Sequence, residues 1–122
     1  MGELPKSEES RQISHLGLEE IVHATNKIGM QYCEAKKKFD RLDLLKASHR
    51  AQAMEKYDDG IRSETKIKRM AEIDPSYMKY LEDLSEAKAV SEKLRLRYES
   101  YKNLFEAKRS VLSFQKAEMR LY

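Results

Sequence analysis

The sequence is poor in the residues that form cross-links, tight turns and deep pockets. Its 122 residues include one cysteine, two prolines, four glycines and no tryptophan. A single cysteine, Cys33, cannot form an internal disulfide, which suits a reducing compartment. Its apolar neighbours predict that Cys33 is a buried structural thiol and not a nucleophile. The scarcity of glycine speaks against the shaped loops of a compact enzyme.

Long apolar runs are also missing. No run approaches the roughly 20 residues that a membrane-spanning helix needs. The polar residues 1–9 contain no apolar core of the kind found in signal peptides. We therefore expect a soluble cytoplasmic protein with no membrane partner.

Charge is what the chain has in abundance. Charged residues make up 37% of the sequence and apolar residues 40%, a balance typical of long helices and coiled coils. At this length we expect one domain. A single chain of this composition can bury only a thin apolar seam along its helices, so we expect partner chains to complete the burial.

The net charge of +3 hides an uneven distribution. Residues 36–69 contain eleven Lys and Arg residues against six Asp and Glu residues, whereas residues 1–35 contain three against six. A basic middle segment of this kind indicates an anionic partner. The alternative is a helix face that is merely solvated.

The first helix is predicted by apolar residues spaced three and four apart. Before it, the polar residues 1–13 are predicted to be a disordered tail, and residues 14–122 a helical hairpin and oligomerisation domain with Ser14 as candidate cap. Glycine costs about 1 kcal/mol relative to alanine in a helix, so Gly29 marks a weak point or a close helix contact. The seam consists of Leu18, Ile21, Thr25, Ile28, Tyr32, Ala35, Phe39 and Leu42.

A turn is predicted at residues 57–60, because their sequence Tyr-Asp-Asp-Gly favours turns. A short basic helix is expected over residues 61–72. Asp74 and Pro75 then signal the start of another helix, since aspartate caps helices and proline fits the first helical turn.

The last helix is predicted over residues 75–121, and its apolar positions recur with the period of 3.5 residues seen in coiled coils. Flanking apolar residues broaden the stripe, which favours contact with more than one helix. The residues predicted to mediate oligomerisation are Tyr80, Leu84, Leu94, Tyr98, Tyr101, Phe105 and Leu112. The predicted fold is all-α: a long two-helix antiparallel hairpin with a short intervening helix, coiled-coil-like packing and an oligomeric state.

Residues that carry catalysis or bind metals are sparse. His15, His23 and His49 lack metal-ligand spacing with one another and with Cys33, and His49 is interpreted as a core histidine. The sequence has no glycine-rich phosphate loop. We therefore expect no enzyme activity, no cofactor and no metal.

Basic residues interleaved with an aromatic residue point to nucleic acid. Single strands are held by cations along the phosphates and by aromatic rings on the bases. Tyr57 is placed for base stacking, although its position near the seam favours packing. The predicted contacts to nucleic acid are Lys36, Lys37, Lys38, Arg41, Lys46, Arg50, Lys56, Arg62, Lys66, Lys68 and Arg69.

Three short motifs follow one another along the chain. A Lys- and Ala-rich helix ends in a Tyr-x-x-Gly turn at residues 57–60, a Ser-Glu-Thr-Lys stretch follows at residues 63–66, and Ala-Lys-Arg-Ser at residues 107–110 closes a long helix. This layout, over residues 18–119, resembles the UvsY family of phage recombination mediators. The stretch before the turn, residues 50–56, has fewer basic residues than that family's DNA-binding region.

The resemblance implies a ring-like homo-oligomer that binds single-stranded DNA and contacts a RecA-like recombinase and a single-strand-binding protein. Its setting would be the cytoplasm of a phage-infected or lysogenic bacterial host. The expected function is a recombination mediator that helps to load the recombinase in phage DNA recombination and repair. The alternative is a structural or assembly coiled-coil protein, such as a phage scaffold or adaptor, without nucleic-acid binding.

Overall fold

The structure is a computed structural model that describes residues 17–121. The described chain forms three helices, α1 (Leu18–Tyr57), α2 (Glu64–Glu72) and α3 (Pro75–Leu121), and contains no strand. The all-α prediction is confirmed. The predicted tail, residues 1–13, and the candidate cap Ser14 lie outside the described residues.

The described part of α1 begins with a cap built on Gly17. The carbonyl oxygen of Gly17 accepts the backbone N–H of Ile21 at 3.0 Å. The Glu20 carboxylate accepts the backbone N–H of Gly17 at 2.9 Å. A glutamate in the third helical position that reaches back to the cap residue is one half of a capping box.

The turn after α1 is formed as predicted, because α1 ends at Tyr57. Gly60 has a φ of 76°, a conformation that residues with a side chain rarely adopt. The Asp59 carboxylate accepts the backbone N–H groups of Ile61 and Arg62 at 3.0 and 2.9 Å. These two bonds hold residues 61 and 62 in the turn.

The prediction that the second helix starts at residue 61 is therefore wrong. The helix α2 starts at Glu64, and Ser63 caps it by accepting the backbone N–H of Lys66 at 3.3 Å. For α3 the prediction is confirmed, because Asp74 accepts the backbone N–H of Tyr77 at 3.2 Å and the helix starts at Pro75. Proline loses no hydrogen bond in this position.

The chain divides into two compact units, and both long helices contribute to each. The first unit consists of Met1–Tyr32 and Leu94–Tyr122, of which the structure describes residues 17–32 and 94–121. The second unit is Cys33–Lys93 and includes the whole of α2.

In the first unit, the segments of α1 and α3 pack antiparallel. Ile21 and Ile28 are buried. The rings of Tyr32 and Tyr98 stack with centroids 6.2 Å apart. A Cβ atom on Gly29 would lie 3.0 Å from Cε2 of Tyr98, so this glycine marks a close helix contact.

In the second unit, all three helices meet around a small core. Ala53 of α1, Ala71 of α2, and Tyr77 and Tyr80 of α3 form its buried cluster. The ring of His49 stacks on that of Tyr80 at 4.0 Å, which confirms the packing role predicted for this histidine. The Tyr80 hydroxyl donates a hydrogen bond to the carbonyl of Leu42.

The seam predicted for α1 matches the burial of its side chains. All eight of its positions from Leu18 to Leu42 are buried or half-buried. Cys33, however, is exposed, so the prediction of a buried thiol is wrong. Consecutive helical residues point about 100° apart, and the step from Tyr32 turns Cys33 away from the seam.

Candidate nucleic-acid interface

The eleven predicted nucleic-acid contacts all lie in the second unit. The structure divides them into two groups according to their partners. Four of them take part in ion pairs: Arg50, Lys56, Arg62 and Lys68. The other seven are exposed and form no ion pair with any described residue: Lys36, Lys37, Lys38, Arg41, Lys46, Lys66 and Arg69.

Lys56 belongs to a hydrogen-bonded cluster around Asp74, which is only 2% exposed. The Lys56 ammonium contacts both carboxylate oxygens of Asp74, at 3.2 and 3.4 Å. The Tyr57 hydroxyl donates to the same carboxylate at 2.7 Å. With the N–H of Tyr77, three donors from two helices meet at one buried acid. Lys56 and Tyr57 thus have a structural role at the end of α1.

The pKa values of this cluster follow from its hydrogen bonds. Donation from Tyr57, followed by the Tyr77 N–H and Lys56, lowers the pKa of Asp74 below its ordinary value of 3.8. The same hydrogen bond to Asp74 raises the pKa of the Tyr57 hydroxyl. Both shifts favour an ionised Asp74 facing a protonated Tyr57, so the cluster is fully formed at neutral pH.

Arg62 is held inside the turn that precedes α2. Its guanidinium donates to the backbone carbonyl of Tyr57 at 3.0 Å and pairs with Asp59 at 3.6 Å. The backbone N–H groups of Arg62 and Ile61, together with the Arg62 charge, lower the pKa of Asp59. Arg62 therefore stabilises the turn.

Arg50 and Lys68 are brought together on a groove of about 830 Å³ bounded by all three helices. We call this the three-helix groove. Arg50 pairs with Glu72 at 3.2 Å, and Lys68 pairs with Glu64 at 3.4 Å. Its charged edge consists of Asp43, Lys46, Arg50, Lys68 and Glu72, and its other lining residues are Leu44, Ala47, Ala51, Met54, Tyr77 and Leu81.

Five of these seven exposed cations form two patches. On α1, Lys37, Lys38 and Arg41 are three and four residues apart, so they are neighbours on the helix surface. We call them the first patch. On α2, Lys66 and Arg69 are three residues apart and point away from the buried Ile67 and Ala71; they form the second patch. Each patch is a small group of exposed positive charges on one helix.

The two patches lie on different helices. The ion pair between Arg50 and Glu72 places α2 beside Arg50. Arg41 lies nine residues earlier on α1, which is about 14 Å along the helix axis.

The structure uses most of the predicted oligomerisation residues inside the chain. Tyr80 is buried in the second unit, and Tyr98 stacks on Tyr32 in the first. Leu84, Leu94, Tyr101 and Phe105 are half-buried, whereas Leu112 is 48% exposed. Of this set, Leu112 has the most exposed side chain.

The described residues offer neither a metal site nor a membrane span. Residues 17–121 contain no group of three His, Cys, Asp or Glu side chains arranged to hold a metal ion. None of the helices in this part of the chain has an apolar stretch that could cross a membrane.

Comparison with protein-family models, curated proteins and solved structures finds no match to this chain. The site is therefore interpreted from its own geometry. Sequence reasoning identified Asp74 as a helix cap but missed its bonds to Lys56 and Tyr57. Those residues are 18 and 17 positions away, and no local motif signals the contact.

Proposed function

We propose that this protein is a non-catalytic mediator of recombination that binds single-stranded DNA as an assembly of several copies. The observation that carries the proposal is the pair of patches, five exposed cations that form no ion pair with any described residue. Such cations are free to exchange their counterions for phosphates, which is the main source of affinity for nucleic acid.

The proposed mechanism is binding without bond-making or bond-breaking steps. Each copy offers only a few phosphate contacts, so one copy holds a strand weakly. Several copies that present their patches to the same strand bind it far more tightly, because every contact after the first is intramolecular. The assembly keeps the bound strand free of secondary structure. A RecA-like recombinase then binds the strand and displaces a single-strand-binding protein from it. These two protein partners are proposed from the family resemblance.

The test compares two double charge reversals in fluorescence anisotropy with a labelled single strand. Lys37→Glu with Arg41→Glu changes the first patch. Lys88→Glu with Lys93→Glu is the matched control, with the same change in charge on exposed residues of α3 in the same unit. We expect the first variant to lose most of its affinity at low salt and the control to keep most of it.

The salt dependence gives a second, quantitative readout. For single strands, log K falls with log salt by about 0.7 for each phosphate contact. Loss of two contacts should therefore make the slope shallower by about 1.4 per copy. Equal affinities for the two variants would show that the first patch does not bind the strand. No binding by the wild type at low salt would refute the proposed function.

The second candidate is a structural or assembly coiled-coil protein that does not bind nucleic acid. The observation in its favour is that four of the eleven predicted contacts already neutralise acids within the chain. This candidate predicts stable self-association and no change in anisotropy at any salt concentration.

A further inference from the structure

The C-terminal end of α3 extends beyond the helix that it packs against. Gly17 and Leu18, at the start of α1, lie beside Val111 and Leu112. Every residue from 111 to 120 is exposed. We call residues 111–121 the α3 extension.

The α3 extension is amphipathic. Val111, Leu112, Phe114 and Met119 are 48–79% exposed. At 100° per residue these side chains fall on one half of the helix, and Ser113, Lys116 and Arg120 fall on the other. Glu118 lies one turn after Phe114, within the apolar half. An acid in that position is best stabilised by a cation on the surface that covers it.

The three-helix groove has complementary features. Ala47 and Ala51, one turn apart on α1, leave room on its floor, and Leu44 stands 81% exposed at its edge. Among the described residues, Lys46 on the charged edge forms no ion pair. The groove thus presents an unpaired cation next to an apolar floor.

We propose that the α3 extension of one copy docks antiparallel to α1 in the three-helix groove of a second copy. One register aligns the acid with the cation and the apolar side chains with the floor. With Glu118 opposite Lys46, Phe114 lies over Arg50 and Ala51, and Val111 lies beside Met54. Both helices rise about 1.5 Å per residue, so these pairs stay aligned over two turns.

The contact joins two different surfaces, so it is head-to-tail. In an open series of copies, the copy at one end has a free extension and the copy at the other end has a free groove. Such contacts produce a ring when the rotation closes and a filament when it does not. This arrangement specifies the assembly on which the proposed avidity for DNA rests, and it assigns Lys46 to assembly and not to phosphate binding.

A charge swap tests the register without DNA. Sedimentation velocity at micromolar concentration is measured for the wild type, Glu118→Lys, Lys46→Glu and the double variant. Both residues are exposed, so the fold should be unaffected, which circular dichroism verifies. We expect each single reversal to weaken self-association about tenfold, since like charges then face each other, and the double variant to restore it.

Mixing two blocked variants tests the head-to-tail arrangement. Phe114→Glu blocks the extension and Ala51→Glu, also at an exposed position, blocks the groove. Each variant alone should be monomeric. Their mixture should form a dimer of one copy of each, because one intact extension meets one intact groove.

Several results would overturn the proposal. A wild type that sediments as a single chain excludes the contact between copies. If deletion of residues 1–13 then causes association, the occupant of the extension is the N-terminal segment of the same chain. A double variant as weak as the single ones excludes the register. A mixture that stays monomeric excludes the head-to-tail arrangement. Because no DNA is present, each result is separable from failure of the proposed DNA binding, which the anisotropy measurement reports.

Discussion

Asp74 shows how one residue can organise the end of a long helix. It caps α3, and its carboxylate also receives donors from Lys56 and Tyr57 at the end of α1. A buried carboxylate is favourable only when its hydrogen-bonding capacity is filled. Composition alone would place the charge of Asp74 on the surface. In this unit the buried carboxylate instead joins the end of α1 to the start of α3.

Asp74→Asn should remove the part of the folding stability that depends on ionisation of Asp74. The folded pKa of Asp74 is lowered, so its stabilising effect is fully present above the ordinary pKa of 3.8 and disappears as pH falls through the folded value. We expect the variant to melt at a lower temperature than the wild type from pH 5 to pH 8. The difference should shrink below about pH 4.

Thermal melts of both proteins across this pH range measure the effect. Asp59, whose pKa is also lowered, is present in both and cancels from the comparison. A difference in melting temperature that stays constant down to pH 3 would contradict the assigned role of Asp74.

Gly29 provides a second test at the residue scale. Alanine should stabilise the helix by about 1 kcal/mol, but its Cβ would lie 3.0 Å from the Tyr98 ring. We expect Gly29→Ala to lose this gain or to destabilise the protein. In a Tyr98→Ala background the same change should stabilise it by about 1 kcal/mol.

Denaturant unfolding of the four proteins gives the coupling between the two positions. The expected coupling is unfavourable, with the glycine preferred only when the tyrosine is present. Identical effects of Gly29→Ala in both backgrounds would show that the two residues do not meet.

At the scale of the helices, much of the fold follows from the sequence. The three- and four-residue spacing from Leu18 to Leu42 reveals the buried face of α1, and Asp74 with Pro75 reveals where α3 starts. These signals are local, because periodicity and capping act within a few residues. The start of α2 is later than the sequence predicts. The Asp59 side chain accepts the backbone N–H groups of residues 61 and 62, which a longer helix would include.

The candidate site follows from the sequence less completely. Composition places the cations in the middle of the chain but does not show which of them face acids. Arg50 meets Glu72, which is 22 residues away, and Lys56 meets Asp74, which is 18 away. Such pairs depend on how α2 and α3 fold back on α1, which no periodicity encodes.

Packing of α2 is the feature of the second unit that mutation tests most clearly. Ile67 is 8% exposed, while Thr65 on the same helix is exposed. Ile67→Ala should cost about 2–4 kcal/mol, within the range for large-to-small changes in a core. Thr65→Ala is the matched control and should change the free energy of unfolding by less than about 0.5 kcal/mol.

Urea unfolding followed by circular dichroism measures both variants. If α2 were only loosely attached, the two substitutions would have similar small effects. That outcome would also remove one wall of the three-helix groove.

The whole molecule has thin helix packing and a surface with unevenly distributed charge. Each unit buries few large side chains, and the cations of the two patches stay free of partners among the described residues. Under the proposed function, several copies would offer many weak phosphate contacts to one strand. Assembly and DNA binding are therefore expected together.

The most direct test of this account is light scattering coupled to size exclusion, run with a labelled single-stranded oligonucleotide at low and at high salt. We predict a protein mass of several chains at both salt concentrations, with the oligonucleotide co-eluting at low salt and released at high salt. A protein mass of one chain, with the oligonucleotide eluting separately at low salt, would contradict the account.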